Sequence, residues 1–298
     1  MIAVVLLCFG GPEKLEDISS FIENVTGRAL PPDRIATAVE KYRLIGGRSP
    51  FCSISRDQAA GLQRKFGNLG SYLKVYLGMK FWKPTIATAI KGALADNPEK
   101  IVLLCLTPYY SAASVGEYLG AAQKELSACG NKVPVIEVTE WNEEPALVDG
   151  LARLLGEAGT DVTSGTAVLF SAHSLLQNMI EDGKSYTRQV NRTAELTAEA
   201  AGISDWRLAW QSEGRSGGDW LKPTAGEALI EIKDAGYKAV LIDPIGFIAD
   251  NVETLYDIDI EMKETATKLG LRFRRVDCLN AEPEAIEAMA SALTKALA

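Results

Sequence analysis

The chain contains 298 residues, 47% of them hydrophobic, so it can bury a large core that we expect to be divided between two domains. Its formal net charge of −8 at pH 7 disfavours binding to nucleic acid or to an anionic membrane, because a negative surface is repelled by both. The five cysteines are far apart and form no Cys-x-x-Cys pair, which argues against the usual zinc and iron–sulfur motifs and indicates reduced thiols of a cytoplasmic protein.

Short apolar runs alternate with longer stretches of helical period along the chain. The first run lacks a basic leader and is too short to span a bilayer, so Gly10-Gly11-Pro12 reads as the turn after a strand. The runs occupy residues 2–9, 74–77, 101–106, 133–138, 167–170, 207–210, 239–242 and 271–275. Continuous apolar runs separated by helices are typical of parallel strands covered on both faces. We therefore predict an α/β fold with doubly wound sheets and no integral membrane segment.

An internal repeat indicates two similar domains. Lys83-Pro84-Thr85 and Lys222-Pro223-Thr224 each precede a helix and then a strand, and the lysine-to-strand separations are 19 and 18 residues. Each of these strands leads into a loop that contains a proline and an aromatic residue. We predict one domain at residues 1–112, a second at 113–282, and a final helix at 283–298 that packs on the first. A ligand cleft is expected between the domains, at the carboxyl ends of the strands.

The chain contains one histidine, His173, where the run at 167–170 passes into a loop. A single imidazole excludes a two-histidine metal site and a His-Glu-x-x-His protease motif. No Gly-x-Gly-x-x-Gly motif, Walker loop or Gly-x-Ser-x-Gly elbow is present, which disfavours nucleotide binding and serine hydrolysis. His173 could transfer protons or bind a metal, or it could be a structural residue bonded to the loop backbone.

A second informative segment is a row of carboxylates. Glu253, Asp257 and Glu261 are spaced by four residues and share one face of a helix. On a solvated face their mutual repulsion is small and needs no explanation. In a cleft, repulsion and desolvation would raise their proton affinity and favour a divalent cation or a proton relay.

Several segments together resemble the signature motifs of the ferrochelatase family. They lie in order over nearly the whole chain: Gly10-Gly11-Pro12, Tyr42-x-x-Ile45-Gly46-Gly47-x-Ser49-Pro50, Tyr109-x-Ser111, Phe170-Ser171-Ala172-His173-Ser174, Trp210-Gln211-Ser212-Glu213-Gly214, Trp220-Leu221-x-Pro223 and Pro244-Ile245-Gly246-Phe247-Ile248-Ala249-Asp250. The resemblance implies an enzyme of haem biosynthesis, a lyase that inserts ferrous iron into a porphyrin. It also implies two Rossmann-like domains around a porphyrin cleft, which agrees with the repeat.

The same resemblance assigns roles to residues. His173 matches the active-site histidine, a candidate proton acceptor or transient iron ligand, and Glu253 matches its partner carboxylate. Asp257 and Glu261 match an acidic line that would pass metal inward or protons outward. The implied metal ligands are thus His173, Glu253, Asp257 and Glu261. Fe²⁺ is a substrate, no tightly bound cofactor or iron–sulfur cluster is expected, and we expect a monomer or a weak dimer.

Residues of the porphyrin wall follow from the resemblance too. Phe9 occupies a position where family members have Met or Tyr close to the ring. Arg28, Ser53 and Lys80 are predicted contacts of the propionates. Tyr109 and Trp210 either line the cleft or belong to the core. The predicted porphyrin-binding set is therefore Phe9, Arg28, Ser53, Lys80, Tyr109 and Trp210.

The chain departs from the family pattern at two positions. Asn251 stands where the family usually has histidine, and Leu176 replaces a proline. Asparagine can form hydrogen bonds but cannot take up a proton, so an acid–base role is lost at position 251. A non-catalytic porphyrin- or haem-binding protein derived from the enzyme is therefore one alternative function.

Substrate identity is a separate prediction. The run at residues 21–28 resembles enzymes that act on coproporphyrin III, and Arg28, Arg48 and Lys80 could bind its additional carboxylates. We therefore favour coproporphyrin III over protoporphyrin IX. A sirohydrochlorin cobalt or nickel chelatase is a second alternative, although such sites generally use more than one histidine.

Overall fold

The structure is a computed structural model that describes residues 1–68, 72–159, 165–180, 185–214 and 217–298. It contains two four-stranded parallel sheets flanked by helices. The strands are β1 (Ile2–Cys8), β2 (Leu73–Met79), β3 (Lys100–Cys105), β4 (Val135–Val138), β5 (Thr166–His173), β6 (Trp206–Gln211), β7 (Ala239–Asp243) and β8 (Arg272–Arg275). All eight apolar runs are strands, which confirms the predicted α/β class.

Helices connect these strands. They are α1 (Ile18–Thr26), α2 (Pro32–Leu44), α3 (Phe51–Asn68), α4 (Ile86–Ala95), α5 (Glu117–Ala128), α6 (Pro145–Gly159), α7 (Ser185–Ala200), α8 (Ala225–Asp234), α9 (Lys263–Lys268) and α10 (Pro283–Leu297). Two π-helices cover Ala112–Gly116 and Glu253–Met262. None of the helices in the described residues has both the length and the apolar character needed to cross a bilayer.

The two sheets have the same topology. Their strand orders are β2-β1-β3-β4 and β6-β5-β7-β8. The repeated tripeptide has the same structure in both copies: the bond before Pro84 and the bond before Pro223 are both cis, and Thr85 and Thr224 cap α4 and α8 with their side chains. Each threonine hydroxyl accepts the backbone N–H three residues on, which satisfies one of the free donors at a helix start. The internal repeat is thus a repeat of structure.

Strand β1 shows why the runs are continuously apolar. Val4, Leu6 and Cys8 face one hydrophobic core, and the alternate residues Val5 and Leu7 face another, all at 2% exposure or less. A strand at the centre of a parallel sheet is covered on both faces, so polar side chains have no solvated side to occupy. Hydrophobic burial on both faces is what stabilises this strand.

The first sheet extends past the predicted boundary at residue 112. Its fourth strand, Val135–Val138, pairs in parallel with β3, so the boundary falls within this sheet and not between the sheets. Helix α10 packs on both α3 and α6. It therefore contacts helices from both sides of the predicted boundary. A short strand carries little information about its partner, because pairing is decided by contacts far apart in sequence.

Candidate active site

His173 is the last residue of β5, the strand between β6 and β7. Its Nδ1 lies 2.5 Å from the backbone oxygen of Ser174, and Nδ1 carries the hydrogen because a carbonyl can only accept. The Tyr186 hydroxyl donates to the His173 carbonyl at 3.0 Å. These bonds orient the residue and leave Nε2 as the ring atom available for chemistry. Ligands of parallel α/β sheets bind at this end of the strands.

Glu253 faces that nitrogen. Its Oε1 lies 3.3 Å from His173 Nε2, and the two side chains are 30% and 36% exposed. Glu253 is the first residue of the π-helix, and the Gln211 side chain donates to its carbonyl at 3.3 Å. The structure therefore brings together the two residues that were predicted to handle protons, although they lie 80 positions apart in the chain.

The pair changes the acid–base chemistry of the imidazole. Burial lowers the pKa of His173, but the negative charge and hydrogen bond of Glu253, the Ser174 carbonyl and the charge of Asp257 outweigh it and raise the pKa to about 9. At neutral pH the resting protein thus holds an imidazolium–carboxylate pair. His173 must lose a proton before it can accept one or bind a metal.

Asn251 supports the start of the π-helix. Its side-chain oxygen accepts the Glu253 N–H at 2.8 Å, and its side-chain nitrogen donates to the Ala249 carbonyl at 3.1 Å. Thr254 adds a hydrogen bond from its hydroxyl to Asp250 at 3.0 Å. The residue that departs from the family pattern therefore holds the turn that places Glu253, a role that needs no proton uptake.

We expect Asn251→Ala to lower the free energy of unfolding by about 1 kcal/mol and to reduce activity, because the Glu253 N–H loses its acceptor. Asn251→Asp separates the two hydrogen bonds, since it keeps the oxygen that accepts the Glu253 N–H and loses the donor to the Ala249 carbonyl. Denaturant unfolding of both variants measures the effect. Equal stability of the alanine variant and the natural protein would show that the side chain does not hold this turn.

The carboxylate row lies on the π-helix and meets a lysine from α2. Lys41 Nζ lies 3.1 Å from Asp257 Oδ1, 3.7 Å from Glu261 Oε1 and 4.3 Å from the centre of the Tyr256 ring. The Ser212 hydroxyl donates to the other Asp257 oxygen at 2.7 Å. A cation thus offsets the repulsion between the two outer carboxylates.

We expect Lys41→Met to raise the affinity of the outer carboxylates for Mg²⁺ or Zn²⁺ by about two- to fivefold, as for removal of an ion pair worth up to about 1 kcal/mol. The ammonium and the metal compete for the same oxygens. Isothermal titration calorimetry measures the change, with Lys65→Met as the control because Lys65 pairs with Glu287, outside the row. An unchanged affinity in Lys41→Met would mean that the lysine and the metal do not compete.

The four predicted metal ligands do not surround a single point. Within the part of the chain that the structure describes, no group of three or more His, Cys, Asp and Glu side chains is arranged to hold a metal ion. His173 and Glu253 form one pair, whereas Asp257 and Glu261 share Lys41. The four side chains therefore form two separate groups and not one metal site.

A cavity of about 510 Å³ lies beside the His173–Glu253 pair, between the two sheets. This volume is within the range of small-molecule sites, and the lining is mainly apolar. Burial raises the pKa of the Tyr42 phenol, which lines the cavity, so this group stays protonated at neutral pH. The site therefore suits a largely apolar ligand that presents polar atoms to one ionisable pair.

The predicted porphyrin-binding residues fall into three groups. Phe9 lines the cavity and is 38% exposed. Arg28, Ser53 and Lys80 lie outside the cavity lining; Ser53 donates to the Pro50 carbonyl at 2.8 Å, and Lys80 pairs with Glu117 at 2.5 Å. Tyr109 and Trp210 are buried and outside the cavity lining too.

Tyr109 has a clear structural role. Its hydroxyl donates at 2.8 Å to the carbonyl of Ile245, so the two repeated proline–aromatic loops are bonded to each other. Trp210 packs against Tyr186 with ring centres 5.7 Å apart. Both residues belong to the core, which was one of the two positions considered for them.

Several cavity residues were missed from the sequence. They come from the segments that build both sheets, and they include the aromatic residues Phe21, Phe51, Tyr118, Tyr186 and Phe247. Phe247 lies in the repeated proline–aromatic loop, and this repetition was the one signal that marked it. The others sit on helices, where an aromatic residue that faces a cavity has the same pattern as one that faces the core.

Comparison with known proteins identifies the family. A family model described as Ferrochelatase matches residues 1–297. A protein of Herpetosiphon aurantiacus named "Ferrochelatase" is 33% identical over 298 residues, which are 98% of each chain. A Bacillus subtilis protein named "Coproporphyrin III ferrochelatase" is 31% identical over 302 residues, which cover 99% of this chain and 97% of that protein.

Solved structures confirm the fold. SirB from Bacillus subtilis with Fe³⁺ has a TM-score of 0.67 at 13% identity and covers 100% of this chain and 96% of its own. CbiX has a TM-score of 0.51 at 13% identity and covers 99% of this chain and 100% of its own. At such low identity these structures show the chelatase fold alone. The family match over nearly the whole length goes further, and with it the chain belongs to the ferrochelatase family.

Proposed function

We propose that this protein inserts ferrous iron into a porphyrin in haem biosynthesis. The observation that carries the proposal is the His173–Glu253 pair, 3.3 Å apart, beside an apolar cavity between the two sheets. Family membership supports the same reaction. Metallation must remove two pyrrole protons from an apolar ring, and this site combines an ionisable pair with an apolar cavity.

The proton chemistry follows from the charge state of the pair. Glu253 is the first proton acceptor, because His173 starts as an imidazolium with a pKa of about 9. Once His173 has released its proton to solvent, its Nε2 can take the second pyrrole proton. Iron then binds the four ring nitrogens, two N–H bonds have broken, and two protons remain to leave the site.

The carboxylate row provides a route for those protons. Asp257 is 17% exposed and Glu261 is 52% exposed, so the outer end of the row reaches solvent. Lys41 sits between these two carboxylates and lowers the cost of holding both negative charges near each other. We propose that protons pass outward, or hydrated iron inward, along this face of the π-helix.

We propose coproporphyrin III as the preferred substrate. Proteins of Oceanobacillus iheyensis and Bacillus subtilis with this name are 32% and 31% identical to the chain. Helix α1 contributes Phe21 and Val25 to the cavity and ends just before Arg28. The Lys80–Glu117 pair has a carboxylate that is 62% exposed, so a propionate can replace Glu117 at little cost.

Anaerobic iron insertion tests both proposals. Coproporphyrin III and protoporphyrin IX are run side by side with Fe²⁺, and loss of porphyrin fluorescence reports metallation. Faster turnover of coproporphyrin III supports both proposals. Faster turnover of protoporphyrin IX contradicts the proposed substrate preference and leaves the proposed reaction in place. Tight binding of either porphyrin without metallation would identify a carrier and overturn the enzymatic function.

A further inference from the structure

Asn280 lies in the loop after β8 and binds two distant segments of the chain. Its backbone N–H donates to the Ile248 carbonyl at 2.6 Å, and its side-chain oxygen accepts the Asp250 N–H at 2.9 Å. Its side-chain nitrogen donates to Asp250 Oδ2 at 2.9 Å, and its carbonyl accepts from the Gln58 side chain at 2.7 Å. Each of its four polar groups therefore has a partner, and each side-chain partner is 30 positions away.

These bonds join the two halves of the molecule beside the cavity. Gln58 belongs to α3, which lies between β1 and β2 in the chain, and it lines the cavity. Asn251, which follows Asp250, lines the same cavity from the second half. The loop that leads into Glu253 is therefore hydrogen-bonded, through Asn280, to a helix of the facing half.

Asp250 connects Asn280 with the π-helix. Its Oδ1 accepts from Arg275 Nη1 at 3.0 Å and from the Thr254 hydroxyl at 3.0 Å. The Arg275 side chain is 9% exposed, and its Nε donates at 2.8 Å to Asp259, in the middle of the π-helix. Hydrogen bonds between charged groups are stronger than neutral ones, and burial protects them from screening by salt. The loop and the π-helix are therefore held as one unit.

The backbone at position 280 suits asparagine. Its φ is +52°, in the left-handed region, where asparagine and aspartate are enriched several-fold among the residues other than glycine. Aspartate shares this tolerance, but its ionised side chain has no donor. Position 280 thus requires a left-handed backbone, a side-chain acceptor and a side-chain donor, and asparagine meets all three requirements.

We propose that Asn280 is a positioning residue for iron insertion, because it fixes the loop before Glu253 against α3 and so sets where the Glu253 carboxylate stands relative to His173. This inference rests on the proposed function. The 3.3 Å distance between that carboxylate and His173 Nε2 is then set by β5 on one side and by the Asn280 hydrogen bonds on the other. Loss of the Asn280 side chain should lower the rate of insertion without removing any group that lines the cavity.

Asn280→Gly is the first test. It removes both side-chain hydrogen bonds and keeps a residue that adopts this φ without strain. We expect kcat for iron insertion to fall about 10- to 100-fold, as for displacement of a catalytic group by about 1 Å, while the KM for porphyrin changes little. Asn131→Gly is the matched control and should keep its kcat. Asn131 also makes two side-chain hydrogen bonds, both to Val133, and lies outside the described cavity lining.

Exchanging the two side chains separates positioning from stability. Asn280→Asp alone sets two carboxylates against each other, and Asp250→Asn alone sets two amide nitrogens against each other, so each should lower kcat. The double variant restores one donor and one acceptor at the same total charge and should recover most of the lost kcat. In protein without substrate at neutral pH, the imidazole C–H NMR signals of His173 should move toward their positions in Glu253→Gln in each single variant and return in the double variant.

Natural kcat and natural His173 signals in Asn280→Gly would overturn the inference, and so would a rise in KM without a fall in kcat. A double variant that is no more active than the single variants would overturn it too, and this comparison decides the matter if Asn280→Gly does not fold. Failure of the proposed function looks different. The natural protein would then not metallate porphyrin, while the His173 signals would still report the position of Glu253.

Discussion

Replacing His173 with alanine is expected to lower the rate of iron insertion by roughly 100- to 10,000-fold, the range for loss of a general acid–base group. Porphyrin affinity should change little, because the cavity lining is mainly apolar and the imidazole is one of many contacts. Glu253 is partly exposed to solvent, so loss of its histidine partner does not leave a fully buried, unpaired charge. Insertion kinetics and fluorescence titration measure the two effects separately.

Met179→Ala is the matched control for this experiment. Met179 follows β5 in the same loop region and is 46% exposed, so its loss should leave both insertion and porphyrin binding near normal. Glu253→Gln should resemble His173→Ala, because it removes the first proton acceptor and keeps the shape of the side chain. Near-normal turnover in His173→Ala would refute the mechanism.

The pH dependence of insertion is the second large expected effect. Because the pKa of His173 is raised to about 9, the imidazole is charged at pH 7 and becomes available only as the pH rises. We expect kcat/KM for Fe²⁺ to increase with pH and to level off above about pH 9. Glu253→Gln removes the negative charge that raises the pKa of His173 against the effect of burial. The midpoint of the pH profile should therefore move to lower pH, and the maximal rate should fall.

The single histidine makes this titration directly observable. In untagged protein the imidazole C–H signals on Cε1 and Cδ2 come from His173 alone, and their NMR shifts should titrate near pH 9 in the natural protein and at lower pH in Glu253→Gln. The raised pKa also implies a contribution to folding stability that is complete below about pH 6.5 and is lost as pH rises through about 9. A midpoint near 6.5 in both proteins would contradict the imidazolium–carboxylate pair.

The strands were predictable because each one is buried on both faces. Their ends differ from the apolar runs by three residues at most, and the largest difference is in β5, where Ser171 and His173 extend the strand toward the site. A polar residue ends an apolar run in the sequence, but it does not end a strand when the neighbouring strands still supply hydrogen bonds. Strand β5 is a rigid element, and it therefore fixes the position of His173 in the site.

The environment of the carboxylate row was not predictable. Lys41 and Asp257 are separated by 216 positions, and no local pattern links a surface lysine of one helix to one carboxylate of another. The π-helical form was also missed, because spacing by four residues is compatible with an α-helix. The role of Asn251 emerged in the same way, from a turn geometry that composition does not reveal.

The sequence by itself determined the α/β class, the internal repeat, the family, and the identity of His173 and Glu253 as the candidate pair. These properties depend on local burial patterns and on short motifs, and both consist of residues that lie close together in the sequence. Tertiary structure alone decided the partner of β4, the burial of Tyr109 and Trp210, the lysine that meets the carboxylate row and the raised pKa of His173. Each of these depends on the distance between atoms from remote parts of the chain, and such distances exist only after folding.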